Sequence, residues 1–138
     1  MKTALFVTDC SIDAALSLRH WLAARNSQPV RLTVVYPYDI TRGQTLSRDT
    51  LKPAKAGAVA KLDNWSALLD ALPAGHLTTE TLLASPELAL SIHLLLRGYD
   101  YWLVNDEEQI TSPAVAAILN QCTTRAEVLS GSARLARA

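Results

Sequence analysis

The sequence predicts an α/β fold in which a parallel sheet carries helices on both faces. Short apolar runs of strand length alternate along the chain with longer segments whose apolar residues recur at helical spacing. The first run, residues 3–9 ("TALFVTD"), is almost continuously apolar, which is typical of a strand covered on both faces. Strands and helices that alternate in this way form βαβ units, and these units place their strands in parallel.

Composition limits the class of protein. The chain of 138 residues suits one domain, and its apolar fraction of 49% and charged fraction of 19% are ordinary for a globular protein. Thirteen basic and thirteen acidic residues cancel without any basic cluster, so we expect neither nucleic acid nor a membrane as a partner. We expect residues 1–131 to form a single domain and residues 132–138 a loosely ordered tail.

The cellular location is predicted from the cysteines and the amino terminus. Cys10 and Cys122 lie far apart and form no Cys-x-x-Cys pair, which is typical of structural thiols in a reducing compartment. The amino-terminal apolar run is too short for a secretion signal, and no stretch reaches the length of a membrane span. The sequence therefore predicts a cytoplasmic protein.

The first strand is followed by a helix and a second strand. Ser11 offers the helix N-cap. One side of this helix carries Ala14, Leu18, Trp21, Leu22 and Arg25. The second strand covers residues 31–37, and we expect Pro37 to end its hydrogen-bond ladder because proline has no N–H to donate.

The sequence pattern in the middle of the chain predicts a long helix followed by an edge strand. Residues 42–50 are polar and are predicted as a connection, and apolar residues at helical spacing then run from Leu51 until Pro73. Residues 77–84 ("LTTETLLA") alternate with threonines, as expected of a strand near a sheet edge.

Two Ser-Pro pairs, at residues 85–86 and 112–113, mark the starts of the last two helices. The first of these helices is expected to end before Gly98, and residues 99–105 form the fourth strand. Residues 126–131 are a plausible fifth strand.

Five segments of the chain follow one another in the order found in a known family. They are "LFVTDCS", "LTVVYPYDI", "ASPELALSIHLLL", "GYDYWLVN" and "TSPAVAAILNQCTTRAEVLSG". Together they resemble the universal stress proteins over almost the whole sequence. The resemblance implies a doubly wound, five-stranded parallel sheet with strand order 3-2-1-4-5, a Rossmann-like fold similar to the adenine nucleotide alpha hydrolases. It also implies a homodimer formed through the last strand.

The nucleotide-binding branch of that family holds phosphates with a glycine-rich loop after the fourth strand. Here Asn105 stands at the place of the first glycine, acids follow at residues 106–108, and the segment is shorter than the family pattern. The pair Thr111-Ser112 alone remains, where the family has a final Gly-Ser/Thr. Carboxylates in this loop oppose a triphosphate by roughly 1 kcal/mol each even at the dielectric constant of water, and by more where water is excluded. The sequence therefore predicts that ATP is not bound in the family's manner.

The resemblance also implies a candidate ligand site. Asp9 matches the acid that contacts the nucleoside in ATP-binding members, and the strand ends beside it complete the site. The candidate residues are Val7, Thr8, Asp9, Tyr36, Pro37, Val104, Asn105, Thr111 and Ser112. Tyr36-Pro37 replaces the residues that would pass under an adenine, so this contact is altered.

Each candidate also has a structural interpretation. Asp9 is either a ligand for a ribose hydroxyl or the acceptor of an Asx-turn before the helix. Asp106, Glu107 and Glu108 either join Asp9 around a divalent cation or form a solvated loop before a helix N-terminus. Thr111 and Ser112 either cup an anion or cap the helix.

Catalytic chemistry is not indicated. Cys10 lies near a helix start, but no arginine-containing phosphate loop follows it. His20, His76 and His93 show no ligand-like spacing, and we expect His20 and His93 at solvated or capping positions. The three tryptophans, at positions 21, 65 and 102, are expected to pack in the core.

The sequence thus predicts a universal stress protein-like regulatory or interaction module that is no enzyme. No cofactor, and in particular no ATP, is predicted, and the protein partner is unknown. The alternatives are a protein that binds a small adenine nucleotide, AMP or ATP, at Asp9 with Thr111 and Ser112, or an enzyme on the same scaffold.

Overall fold

The structure, a computed structural model, describes residues 2–24, 29–39, 47–69, 75–105 and 112–129. The strands are β1 (Lys2–Val7), β2 (Val30–Tyr38), β3 (Leu77–Leu83), β4 (Tyr101–Val104) and β5 (Arg125–Val128). The helices are α1 (Ile12–Ala23), α2 (Arg48–Ser66), α3 (Pro86–Ile92), which continues into a π-turn at His93–Arg97, and α4 (Pro113–Asn120).

All four strand pairs are parallel, and the sheet order is β3-β2-β1-β4-β5. This confirms the predicted fold class and strand order, and it confirms β3 as an edge strand. Two apolar clusters lie on opposite faces of the sheet: α1 and α2 cover one face, and α3 and α4 cover the other. The predicted βαβ pattern therefore folds with helices on both faces.

The helix starts follow the predicted caps in two cases. The Ser11 hydroxyl accepts a hydrogen bond from the Ala14 N–H at 3.1 Å, and the Ser85 hydroxyl accepts one from the Leu88 N–H at 3.2 Å. Ser112 occupies the N-cap position of α4, but its side chain makes no capping hydrogen bond within the described part of the chain. The prediction that the Ser112 hydroxyl caps this helix was therefore wrong.

Pro37 does not end β2, contrary to the prediction. The strand continues to Tyr38, and Pro37 lies beside Leu82 of β3. The Val35 carbonyl accepts from Thr8 on the β1 side, and the Tyr38 carbonyl accepts from Ala84 on the β3 side. Because alternate residues of a parallel strand face alternate neighbours, the ring nitrogen of Pro37 points to the β1 side, beyond the end of β1. The missing N–H therefore costs the sheet no hydrogen bond.

Helix α2 begins at Arg48, three residues before the predicted start at Leu51. The N–H of Ser47 donates to Thr50 Oγ1 at 3.0 Å and fixes the first turn. The predicted end near Pro73 lies outside the described residues, as do residues 130–131 of the predicted fifth strand and the tail at 132–138.

The helix after Ser85 differs from prediction at its carboxyl end. Regular α3 stops at Ile92, and His93–Arg97 form a π-turn in which the Gly98 N–H donates to the His93 carbonyl at 3.1 Å. Gly98 then takes a φ of 75°, a left-handed conformation that glycine adopts without steric cost. His93 is fully buried, with 0% of its surface exposed, so it is not solvated, but it occupies the predicted kind of capping position, as the C-cap of α3; His20 is exposed as expected.

Candidate functional site

A pocket of about 510 Å³ opens at the carboxyl ends of β1, β2 and β4, where α3 and α4 begin. Its wall is formed by Val7, Thr8, Asp9, Pro37, Pro86, Glu87, Leu90, Trp102, Asn105, Ser112 and Val115. The volume lies within the range of small-molecule sites, roughly 300–1,000 Å³. Doubly wound sheets bind ligands at this edge, where the strand order reverses on either side of the first strand.

The structure brings most of the sequence-predicted residues together here. Residues Val7, Thr8, Asp9, Pro37, Asn105 and Ser112 all line the pocket. Val104 is buried in the sheet just below, outside the lining. Thr111 and the acids at 106–108 lie outside the described residues. Of the residues in the possible cation cluster, the structure therefore describes Asp9 alone.

Tyr36 faces away from the pocket. Its ring packs against the cluster under α1 and α2, and Lys61 of α2 holds its ammonium 5.4 Å from the ring centroid. Side chains alternate along a strand, so Pro37 reaches the pocket face and Tyr36 the opposite one. A ligand in the pocket therefore contacts Pro37 and not Tyr36.

Five lining residues were not predicted from the sequence: Pro86, Glu87, Leu90, Trp102 and Val115. The first three belong to α3, which follows the edge strand β3 and must cross back over the sheet to reach β4. The signal was therefore present in the predicted strand order, because such a crossover places the start of α3 above the ends of β2 and β1.

The turn after β1 is held by its own side chains. Asp9 Oδ1 accepts from the Ser11 N–H at 2.9 Å, and Thr8 Oγ1 accepts from the Cys10 N–H at 2.9 Å. Cys10 sits between these two bonds with a φ of 62°, which few non-glycine residues adopt. The Asx-turn interpretation of Asp9 thus describes an observed contact, and Asp9 is at the same time exposed at the pocket wall.

Asn105 carries an acceptor that no described residue uses. Its Oδ1 atom is buried and has no hydrogen-bond partner within the described part of the chain, while the residue lines the pocket. A buried acceptor without a partner costs about 1–3 kcal/mol relative to a satisfied one. A ligand that presents an N–H or O–H to Asn105 would recover that energy.

The charge of the pocket is negative. Asp9 and Glu87 are both exposed carboxylates on its wall, and the described lining includes no Lys, Arg or His. No group of three metal-ligating side chains occurs among the described residues. An anionic ligand therefore finds two like charges and no described basic side chain at this site.

Cys10 is not activated as a nucleophile. Burial raises the pKa of its thiol and Asp9 raises it further, while Lys61 only partly opposes them. The thiol also packs against the cluster under α1 and α2, on the far side of the sheet from the pocket lining. A thiolate is the reactive form, so these surroundings favour a structural cysteine.

Solved structures with the same fold include several universal stress proteins. One, solved in complex with cAMP, has a TM-score of 0.60 at 16% identity over 92% of this chain and 95% of its own. UspA from Lactobacillus plantarum has a TM-score of 0.62 at 14% identity over 92% of this chain and 96% of its own. A universal stress protein family member from Burkholderia pseudomallei has a TM-score of 0.60 at 16% identity over 91% and 95%.

No protein-family model matches the sequence, and no curated protein matches it either. The architecture places the chain among the doubly wound α/β folds with a parallel sheet. Within that class, it has the universal stress protein fold. The resemblance found in the sequence is confirmed at the level of the fold.

None of the helices in the described part of the chain is both long and apolar enough to cross a membrane.

Proposed function

We propose that this chain is a universal stress protein-like regulatory or interaction module that does not bind ATP. The observation that carries the proposal is the charge of the pocket: Asp9 and Glu87 lie on its wall, and no described lining residue is basic. Protein sites for triphosphates ordinarily supply backbone N–H groups from glycines together with a basic side chain. The sequence from 105 to 113 offers neither a glycine nor a Lys or Arg.

Nucleotide binding is tested by thermal unfolding in the presence of ATP, with and without Mg²⁺. We expect millimolar ATP to leave the melting temperature unchanged, because a ligand stabilises a protein only by binding its folded state. A rise in melting temperature that saturates with ATP would contradict the proposal. Asp9→Ala tests the part played by Asp9 itself: if Asp9 is only a turn residue, the substitution should leave any such shift unchanged.

A second candidate function is the binding of a less charged adenine compound in the same pocket. The observation that favours it is the unpartnered Oδ1 of Asn105, which calls for a donor such as an amino group or hydroxyl. One structural neighbour was solved with cAMP, a singly charged nucleotide. Melting in AMP, cAMP and adenosine separates this candidate from the first: stabilisation by adenosine but not ATP supports it, and no shift with any of the three rules it out.

We further propose a homodimer through β5, the outer strand of the described sheet on that side. The Arg125 N–H donates to the Asp100 carbonyl at 3.0 Å, and the Leu129 N–H donates to the Val104 carbonyl at 2.6 Å. Because alternate residues of a parallel strand face alternate neighbours, the N–H of Val128 points away from β4. Such an outward edge is a template for another strand.

Val128→Pro is therefore expected to convert a dimer into a folded monomer. Proline removes the outward N–H and blocks strand pairing, while the bonds to β4 from Arg125 and Leu129 remain. Val128→Thr keeps both the N–H and the side-chain shape, and it should remain dimeric. Sedimentation velocity at micromolar concentration measures both. A wild-type monomer, or a folded dimer of the proline variant, would count against the β5 interface.

We propose that this role involves no catalysis. We also propose that the protein is cytoplasmic. The described lining contains no His, Lys or Cys that could serve as base or nucleophile. The protein partner of the module is unknown, and because the β5 edge is assigned to the homodimer, we expect the partner to bind at the charged pocket.

A further inference from the structure

A buried histidine that does not line the pocket joins the π-turn to the edge strand β3. His93 opens the π-turn and has 0% of its surface exposed. Its Nδ1 lies 2.9 Å from the hydroxyl of Tyr99, and its Nε2 lies 3.5 Å from Oε1 of Glu80 in β3. Among the described residues Nε2 has no partner at good hydrogen-bond geometry, and the carboxylate of Glu80 is the charged group that it faces.

Arg97 competes with His93 for the same carboxylate. Its guanidinium donates to Glu80 Oε2 at 2.8 Å and to Oε1 at 3.5 Å. Arg97 closes the π-turn that His93 opens, so both ends of the turn converge on Glu80. The turn is thus attached to β3 by one shared carboxylate, which is 28% exposed in its side chain.

The other described elements around His93 supply no further charge. On the sheet, the residues of the same cluster are apolar, with Leu5, Val35 and Trp102 from β1, β2 and β4. Helix α4, which packs against the π-turn, contains no titratable residue. The thiol of Cys122 packs against the cluster from the end of α4. Glu80, Arg97 and Tyr99 are therefore the groups that decide the charge of His93.

We propose that His93, Glu80, Arg97 and Tyr99 form a proton-sensitive contact that holds the π-turn on β3 at neutral pH and releases it in acid. With neutral His93, the imidazole bonds Tyr99 and leaves Glu80 to Arg97. A proton on the imidazole creates a second cation beside Arg97, this one buried in a largely apolar environment. Glu80 attracts this cation but does not offset its desolvation and its repulsion by Arg97, so the attachment of the turn weakens.

The direction of the pH dependence follows from burial. Desolvation lowers the pKa of His93 below its ordinary value; Glu80 opposes this effect, and Arg97 adds to it. The opened turn exposes His93 to water, where its pKa returns to about 6.5. The opened state therefore binds the proton more tightly, so the closed contact is fully stable above that pH and loses stability as the pH falls below it.

The test is an NMR titration of the three histidine rings, combined with amide hydrogen exchange across residues 93–98. We expect the pKa of His93 to lie below the ordinary value of about 6.5, and the protection of residues 93–98 to be lost in acid after correction for intrinsic exchange. Arg97→Gln should raise the pKa of His93, and Glu80→Gln should lower it, since each removes one of the two opposing charges.

His93→Gln should abolish the acid-dependent loss of protection, whereas His20→Gln, at an exposed position, should leave it unchanged. If His93→Gln fails to fold, the two charge variants still decide the question because they retain the histidine. The proposal is overturned if the pKa of His93 lies at or above the ordinary value of about 6.5, if Arg97→Gln and Glu80→Gln do not move its pKa in opposite directions, or if protection is independent of pH.

Discussion

Replacement of Trp65 by alanine is expected to lower the free energy of unfolding by about 3–5 kcal/mol. Trp65 of α2 is 4% exposed and stacks on Phe6 of β1 with ring centroids 6.1 Å apart and an interplanar angle of 15°. Truncation leaves a cavity between α2 and the sheet and removes the aromatic pair. Urea unfolding followed by fluorescence of the remaining tryptophans and by circular dichroism measures the loss.

Trp65 also connects α2 by a hydrogen bond to the turn after β1, which carries residues of the pocket wall. Its Nε1–H donates to the Ser11 carbonyl at 2.7 Å. Trp65→Phe keeps an aromatic ring but loses this bond, so it should cost less than the alanine variant. Leu96→Ala is the matched control because Leu96 is 79% exposed, and its effect should stay within about 0.5 kcal/mol. A loss for Trp65→Ala no larger than that of Leu96→Ala would contradict the packing described here.

The sheet was predictable because its signals are local. The run from Lys2 to Val7 is almost continuously apolar, and Ser11 and Ser85 cap their helices with their own hydroxyls. Each of these features is decided within a few residues of sequence. The error at Pro37 arose because the cost of a missing N–H depends on which neighbour the strand has at that point, and this is known only after the strands are paired.

The burial of His93 could not be predicted for a similar reason. In sequence it is one polar residue in the apolar run "SIHLLLR", and neither Glu80 nor Tyr99 is within helical contact of it. The π-turn, which aims the imidazole at both, adds one residue to a helical turn and has no clear sequence signal. A buried histidine is suitable at this position because of its contacts with Tyr99 and Glu80, which are known only once the chain is folded.

About half of the residues that line the pocket were predicted from the sequence. Strand ends such as Asp9 and Asn105 were found because the edge of a parallel sheet collects them. Glu87 was missed because its place depends on the path of α3 over the sheet, although the order 3-2-1-4-5 contains that information. One of the two carboxylates on the described pocket wall, that of Glu87, therefore comes from a residue that no phosphate-loop pattern would have indicated.

The double substitution Pro53→Ala and Gly57→Ala in α2 is expected to raise the free energy of unfolding by about 2–3 kcal/mol. Pro53 lies inside the helix, where it cannot donate to the Asp49 carbonyl and its ring crowds that carbonyl. Alanine restores the bond, and the larger freedom of the unfolded chain offsets about 0.4–1 kcal/mol of the gain. A methyl group on the α-carbon of Gly57 would meet no atom within 4 Å, so Gly57→Ala adds about 0.5–1 kcal/mol.

Single variants separate the two contributions, and Lys55→Ala, at an exposed position of the same helix, serves as the control with little expected change. Urea unfolding midpoints at constant slope give the free energies. A Pro53→Ala variant no more stable than wild type would mean that the amino-terminal turns of α2 contribute little to global stability. Because Pro53 and Gly57 neither line the pocket nor take part in the Trp65–Ser11 hydrogen bond, we expect the stabilised protein to leave the ligand response of the pocket unchanged.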